Sequence, residues 1–266
     1  MKKTRPRSSR SNREPLYGVN PVLEALRGSR AIEEITVAEG ARSDHLQELI
    51  ELARARHIPV NRAPRAGLDR VTGGAHHQGV LARVAAARYA DADELLDSVA
   101  ARVGSSTEPL VVVLDGVEDP RNLGAILRTA ECAGVHGVFM SERRAVGLNE
   151  TVAKSSAGAV EYLPVTRVTN LARLIERLKE RNVWVVGTAP AAPLAYTEWD
   201  WTRSSAVVLG GEGSGLHRLV RERCDALVRI PVRGRIDSLN VSVAAGIVLY
   251  EALRQRTSRA GRYSEP

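Results

Sequence analysis

The strongest constraint on the fold is the alternation of apolar strands and helices after residue 109. The run "LVVVLDG" is almost uninterruptedly apolar, as is typical of a strand buried on both faces of a parallel sheet. A helical "NLGAILRTAECAG" follows it, and further predicted strands are "VHGVFM", "VWVVGTA", "AVVLGG" and "ALVRIPV". The pattern closes on a long, largely apolar helix, "SLNVSVAAGIVLYEALRQR". This alternation predicts an α/β domain with a mostly parallel sheet covered on both faces.

A second, smaller α/β unit is predicted over residues 15–88. The stretch "LYGVNPVLEALRG" predicts a helix with Asn20 as its N-cap, Pro21 at its first position and Gly28 just past its end. Predicted strands follow in "IEEITVA", "IPVNRA" and "GVLARV". The unit is therefore expected to hold its own sheet.

The segments between and around these units are polar. Residues 89–108 form an acidic, helix-prone stretch that ends in Gly, Ser, Thr and Pro, which is the composition of a linker. We therefore predict a basic, disordered arm at 1–14, the small domain at 15–88, a linker at 89–108, the larger domain at 109–256 and a basic tail at 257–266.

The net charge of +7 is concentrated at the two ends of the chain. Residues 1–14 carry six Lys and Arg against one Glu, and residues 254–266 carry four Arg against one Glu, which leaves the body near neutral. Basic arms commonly bind phosphate backbones by releasing counterions, although a purely solubilising tail has the same composition. Only 4% of residues are aromatic, which disfavours a domain that stacks single-stranded bases.

Neither a membrane span nor a metal site is expected. No apolar run approaches the roughly 18 residues of a spanning helix, and the basic N-terminus lacks the apolar core of a secretory signal. Cys132 and Cys224 lack C-x-x-C spacing and are interpreted as reduced, buried thiols of a cytoplasmic protein. The pair His76 and His77 has no carboxylate or cysteine nearby, so we interpret it as polar surface.

Polar residues stand at the carboxyl ends of several predicted strands, where ligands bind in open α/β sheets. In "LDGVEDPRNLGAILRTA", Asn122 lies near the start of a helix and Arg128 interrupts its apolar stripe. A functional role and a structural one, an N-cap plus a surface ion pair, explain this segment equally well. In "IPVRGRIDSLNVSVAAGI", Ser238 can cap the last helix, whereas Asn240 in its first turn would need a partner.

The stretch "VVLGGEGSGL" joins a strand to a glycine turn. Leu216 stands where the last glycine of a G-x-G-x-x-G pattern would fall, and the spacing of a phosphate-binding P-loop is absent too. A dinucleotide cradle is therefore disfavoured. What remains is a backbone that approaches something closely or adopts positive φ, beside one carboxylate, Glu212.

Taken in order, "LDGVEDPRNLGAILRTAECAG", "VVLGGEGSGL" and "IPVRGRIDSLNVSVAAGIVLYEAL" resemble the three motifs of the SpoU (TrmH-type) RNA ribose 2′-O-methyltransferases of the SPOUT class. The stretches "LYGVNPVLEALRG" and "HHQGVLARV" resemble the small RNA-binding domain of the family's rRNA branch. The resemblance spans residues 15–256. It implies a trefoil-knotted α/β catalytic domain, bound S-adenosylmethionine, a homodimer and an RNA substrate, with a guanosine of 23S rRNA as the leading target.

The resemblance also assigns residues. It implies that motif 1 of one subunit lies near the cofactor of the other, and that Arg128 is the essential arginine. We expect Arg128 to act electrostatically on the ribose hydroxyl and its phosphate, because a guanidinium is too basic to take the proton near pH 7. The implied catalytic set is Asn122, Arg128, Glu212, Ser238 and Asn240, and the implied cofactor set is Thr188, Gly210, Gly211, Ile230 and Leu239.

Three other functions stay open at this point. The same chemistry on tRNA or at another rRNA site is the nearest alternative, and the N-terminal domain favours rRNA. A non-catalytic RNA-binding factor in ribosome assembly is a second, and the intact polar set argues against it. A nicotinamide-dependent oxidoreductase is the third, and the failed Rossmann spacing counts against it.

Overall fold

The computed structural model describes residues 13–213 and 215–260, in a chain that divides into two compact units at residues 87 and 88. Both units are α/β, as predicted. Within the predicted basic arm only Arg13 and Glu14 are described, and they begin the first strand. Residues 261–266 of the predicted tail also lie outside the described residues. In the part of the chain that is described, no helix is both long and apolar enough to cross a membrane.

The N-terminal unit is a mixed four-stranded sheet with three helices. Its strands are β1 (Arg13–Tyr17), β2 (Ile32–Ala38), β3 (Val60–Ala63) and β4 (Val80–Ala85), and its helices are α1 (Val19–Arg27), α2 (Asp44–Ala55) and α3 (Arg65–Thr72). The strand order is β1-β4-β2-β3, with β4 antiparallel to both neighbours and β3 parallel to β2. Alternate residues of β2, Ile35 and Val37, are fully buried, as expected for a strand with one face on a core.

Three local predictions in this unit are wrong. Helix α1 begins at Val19 behind Gly18, whose φ is 100°, so Asn20 is not its N-cap and Pro21 is its third residue rather than its first. The cap is replaced by the side chain of Gln78, whose Oε1 accepts from the Val19 backbone N–H at 3.0 Å. His77 is buried and not surface polar: its Nε2 lies 2.9 Å from Asp69 Oδ1, and its Nδ1 accepts from the Gly79 backbone N–H at 2.9 Å.

The C-terminal unit contains a seven-stranded sheet whose strand pairings are all parallel. The strands are β5 (Leu110–Asp115), β6 (Gly137–Ser141), β7 (Val165–Val168), β8 (Trp184–Thr188), β9 (Leu194–Ala195), β10 (Ser205–Gly210) and β11 (Ala226–Arg229). Their order is β7-β6-β5-β10-β8-β11-β9. Strand β5 is buried along its whole length, as its apolar run predicts.

The helices of this unit are α4 (Ala92–Ala100), α5 (Pro120–Cys132), α6 (Glu150–Ser155), α7 (Leu171–Lys179), α8 (Arg218–Arg223) and α9 (Val241–Ala260). Helix α4 lies in the segment 89–108 that we expected to be a linker. Its residues Leu95, Leu96 and Val99 are buried in the same core cluster as Phe139, because their spacing places them on one helix face. The trefoil knot that the resemblance implies stays a prediction.

The far end of α9 is fixed to the amino ends of the central strands by one arginine. Arg256 donates from Nε to the Trp201 carbonyl at 2.8 Å, and from Nη2 to the carbonyls of Pro109 at 3.1 Å and Arg203 at 2.8 Å. It also bonds the Glu108 carbonyl. Helix α9 therefore continues through Ala260, beyond the start of the predicted tail at 257.

The two cysteines differ in their surroundings. Both are free thiols, but Cys132 at the end of α5 is exposed, so the prediction that both are buried is wrong for it. Burial raises the pKa of the Cys224 thiol to about 12, with the nearby Asp225 carboxylate acting in the same direction. Among the described residues no cluster of three or more His, Cys, Asp and Glu side chains is arranged to hold a metal ion.

Candidate functional site

The carboxyl ends of strands β8, β10 and β11, together with the segment that leads into α9, enclose a cavity of about 540 Å³, called the first cavity below. Every residue of the predicted cofactor set lines it, as do three of the predicted catalytic set: Glu212, Ser238 and Asn240. The structure therefore brings together eight residues that are up to 52 positions apart in the sequence. Parallel strands place their carboxyl ends at one edge, which is why these strand ends share a site.

The glycine turn after β10 is held against the turn after β5. A Cβ on Gly211 would lie 2.1 Å from the carbonyl oxygen of Gly116, and a Cβ on Gly210 would lie 2.2 Å from the carbonyl carbon of Gly215. Gly213 and Gly215 adopt φ of 83° and 62°. Both reasons for glycine that the sequence left open, close backbone approach and positive φ, thus apply within one loop.

Three polar side chains from three distant segments meet at the edge of this cavity, and we call them the amide–carboxylate cluster: Asn122, Glu212 and Asn240. Asn122 Nδ2 donates to Glu212 Oε1 at 2.5 Å. Asn240 Nδ2 donates to Glu212 Oε1 at 3.1 Å and to Asn122 Oδ1 at 3.0 Å. Each pair in the cluster is therefore hydrogen-bonded, so none of the three side chains can turn without breaking a bond to another.

Helix caps explain why the two amides are available. Asp119 caps α5 by accepting from the backbone N–H of Arg121 at 2.6 Å and of Asn122 at 3.3 Å. The structural alternative, in which Asn122 caps this helix, is therefore wrong, and its side chain is left to reach Glu212.

The last helix is capped by Asn240. Its Oδ1 accepts from the Ser242 backbone N–H at 2.9 Å and from the Ser242 hydroxyl at 2.6 Å. Asn240 therefore lies just before α9 rather than within its first turn, and Ser238 lines the first cavity instead of capping the helix. The oxygen of the amide serves the helix while its nitrogen serves the cluster.

Arg128 lies apart from the rest of the predicted set. It is exposed on α5, and it lines neither the first cavity nor the second cavity described below. Within the described residues its guanidinium has no hydrogen-bond or ion-pair partner. Six helical residues correspond to about 600°, so Arg128 points away from Asn122 by roughly a third of a turn. The surface ion pair of the structural alternative is absent within the described residues, and one subunit alone does not bring Arg128 to its own cavity.

A second cavity, of about 480 Å³, lies on the other side of the amide–carboxylate cluster and shares Glu212 and Val241 with the first. Its lining includes Asn122 from the cluster, with Gly116, Arg144 and His217. A mainly apolar cavity and a more polar one therefore meet at a wall that contains Glu212 of the cluster.

Two features of the second cavity were missed from the sequence. The buried Asp115 carboxylate accepts from the His217 backbone N–H at 2.8 Å and lies 2.8 Å from His217 Nδ1, which ties the end of the glycine loop to β5. Arg144 enters from the segment after β6. His217 directly follows the glycine stretch and Asp115 ends an apolar strand, so their sequence positions indicate that they lie near the site. No comparable sequence feature places Arg144 there.

Comparison with family models gives two matches. Residues 15–90 match the model described as RNA 2′-O ribose methyltransferase substrate binding, and residues 109–250 match the SpoU rRNA Methylase family. The two matches together leave only residues 91–108 between them.

Similar proteins agree with these matches. A Bacillus subtilis protein assigned to the TrmH family of tRNA/rRNA methyltransferases, YacO, is 45% identical over 91% of this chain and 95% of its own. The 23S rRNA (guanosine-2′-O-)-methyltransferase RlmB of Xylella fastidiosa is 44% identical over 91% and 96%. The solved SpoU methyltransferase AviRb of Streptomyces viridochromogenes, in complex with AdoMet, superposes with a TM-score of 0.76 at 26% identity over 96% and 95%.

Proposed function

This chain belongs to the SpoU rRNA methylase family and is an S-adenosylmethionine-dependent RNA 2′-O-methyltransferase, and we propose that its substrate is a guanosine of 23S rRNA. The observation that carries the proposal is the amide–carboxylate cluster, which stands between two cavities. The relatives named RlmB support the choice of guanosine. A 23S rRNA substrate would place the enzyme in the cytoplasm.

The residues of the first cavity fit S-adenosylmethionine. The bare backbone of Gly210 and Gly211 forms part of its wall, and apolar side chains such as Leu209, Ile230 and Leu239 offer a surface for an adenine ring. The polar groups of Thr188 and Ser238 stand beside them. When bound, the cofactor supplies a methyl group on a sulfonium, which leaves a neutral thioether and requires no metal.

The amide–carboxylate cluster would orient the reacting groups. Because Asn122 and Asn240 both donate to one oxygen of Glu212, that carboxylate is held at the wall between the two cavities. A fixed wall restricts the approach of a ribose hydroxyl to a single direction, and such positioning is a large part of the rate in a bimolecular transfer. The cluster's role is therefore orientation, with no covalent intermediate.

Arg128 would act on the cavity of a second subunit, so the enzyme would be a homodimer. Helix α5, which carries Arg128, packs against α9, and α9 exposes Val243 and Tyr250. Exposed apolar residues on a helix that packs against the one carrying an exposed arginine are typical of a surface that another protein covers. In this arrangement the guanidinium would bind a phosphate of the RNA and stabilise negative charge on the ribose oxygen as its proton passes to that phosphate or to a water.

The N-terminal unit, residues 15–88, and the two basic ends would bind the RNA around its target. The family model for residues 15–90 is a substrate-binding model, which supports this role. A tRNA substrate is the second candidate, because relatives such as YacO are named for tRNA and rRNA together.

Mapping 2′-O-methyl groups on rRNA and tRNA tests the proposal. RNA from cells that lack the gene is compared with RNA from cells complemented by wild type or by Asn122→Ala, and Glu180→Ala, at an exposed residue with ordinary helical φ, serves as a surface control. We expect one 23S guanosine to lack its methyl group in cells without the gene and in cells complemented by Asn122→Ala. The same guanosine should be methylated in cells complemented by wild type or by the surface control. Loss of a tRNA site would favour the second candidate, and an unchanged methylation map would refute both.

A further inference from the structure

Arg144 has an unusual backbone conformation for a residue with a side chain. Its φ is 53°, in the left-handed region, which costs a non-glycine residue about 1 kcal/mol or more. Hydrogen bonds on both sides hold it there: Glu142 donates its backbone N–H to the Val168 carbonyl at 2.9 Å, and Val146 donates to the Val117 carbonyl at 3.2 Å. The second bond ties the segment to the turn of motif 1.

The side chain of Arg144 is exposed and lines the second cavity. Within residues 13–213 and 215–260 its guanidinium has no hydrogen-bond or ion-pair partner. Three acidic residues also line this cavity, and among the described residues none forms an ion pair with Arg144. Asp119 caps α5, Glu212 accepts from the two amides of the cluster, and Glu118 makes no ion pair with Arg144. The preceding Arg143 is equally exposed but does not line the cavity.

We propose that the second cavity receives the target nucleotide and that Arg144 binds the phosphate beside the reacting ribose. This inference rests on the proposed function. A ribose 2′-hydroxyl and the 3′-phosphate occupy adjacent carbons, so a hydroxyl at the cluster wall brings a phosphate within a few ångströms of it. A planar guanidinium matches two phosphate oxygens at once, and the left-handed backbone at Arg144 directs this group into the cavity at a cost in stability.

The test compares Arg144→Ala, Arg144→Gly and the matched neighbour Arg143→Ala on a 23S rRNA fragment. We expect Arg144→Ala to lower kcat/KM by about 10- to 100-fold, the usual effect of losing a charged hydrogen bond, while Arg143→Ala stays within about twofold. The slope of log affinity against log salt should fall by about 0.7 to 0.9, which corresponds to one lost phosphate contact. Affinity for S-adenosylmethionine, measured without RNA by calorimetry, should be unchanged.

Arg144→Gly separates a role in RNA binding from a role in folding. Glycine relieves the left-handed backbone, so this variant should unfold at or above the temperature of wild type and still lose RNA affinity. The proposal is overturned if Arg144→Ala matches Arg143→Ala on RNA, or if cofactor affinity falls in parallel with RNA affinity. A wild-type enzyme that leaves every 23S fragment unmethylated would instead refute the proposed function, and the affinity comparison could then be repeated on tRNA.

Discussion

Replacing Gly211 with alanine should damage stability and cofactor binding together. The added Cβ would lie 2.1 Å from the carbonyl oxygen of Gly116 and 2.8 Å from its carbonyl carbon, against roughly 3.5 Å for ordinary contact. Neither atom can move easily, because Gly116 itself has φ of 80° and Gly211 donates its N–H to the Asp115 carbonyl at 2.7 Å. Overpacking of this kind costs about 1–3 kcal/mol, which lowers Tm by about 2–12 °C in a unit of this size.

The assay for this prediction is thermal unfolding followed by calorimetric titration with S-adenosylmethionine. Because Gly211 lines the first cavity, affinity should fall by about tenfold or more, the equivalent of roughly 1.4 kcal/mol. Gly134→Ala is the matched control: its φ is 70°, no atom lies within 4 Å of the added Cβ, and it does not line the cavity. The control should lose about 1 kcal/mol of stability and no affinity. If Gly211→Ala behaves like the control in both measurements, the close approach of Gly211 to Gly116 is not what requires glycine at this position.

Three further results are expected. Arg128→Ala and Glu212→Ala should each be inactive, whereas their equimolar mixture should regain about a quarter of wild-type activity. Half of randomly paired dimers contain one subunit of each variant, and each such dimer has one complete site of two. No recovery after subunit exchange would refute action across the dimer. Burial lowers the pKa of His136 in the folded state, so its contribution to the free energy of unfolding is fully present above the unfolded pKa near 6.5 and is lost as pH falls below it. His136→Gln should therefore flatten the dependence of Tm on pH between about pH 5 and 7. An unchanged slope of Tm against pH would contradict this. Iodoacetamide at pH 8 should label the exposed Cys132 and leave Cys224 unlabelled, because burial raises the pKa of the Cys224 thiol to about 12. Two labels on the native protein by mass spectrometry would contradict this.

The class of fold was predictable because it depends on patterns along the chain. The apolar run of β5 is buried at every position, and the alternation with helices gives a parallel sheet. The segment of helix α4 is predicted as a linker because it is acidic and ends in Gly, Ser, Thr and Pro. The spacing of Leu95, Leu96 and Val99 is the feature of this segment that indicates a packed helix.

The site was predictable where the three motifs carried it and unpredictable where it depended on distant groups. Most residues of the first cavity come from the second and third motifs, while Thr188 and its two successors come from the end of β8, and the structure brings these segments together. The N-cap of α1 was missed because it depends on Gln78, about sixty positions away in the sequence. Arg144 was missed for a similar reason: nothing in its local sequence shows that its backbone is left-handed or that its segment is tied to Val117.

The anchoring of α9 by Arg256 has a consequence for the order of events during synthesis. Because a chain is synthesised from its N-terminus, strand β5 and the glycine turn emerge from the ribosome before Asn240, which completes the amide–carboxylate cluster, and before Arg256, which fixes the last helix to the strands. A nascent chain therefore holds most of the sheet while the wall between its cavities is still unfinished. The catalytic geometry can be complete only after both Asn240 and Arg256 have followed the strands out of the ribosome.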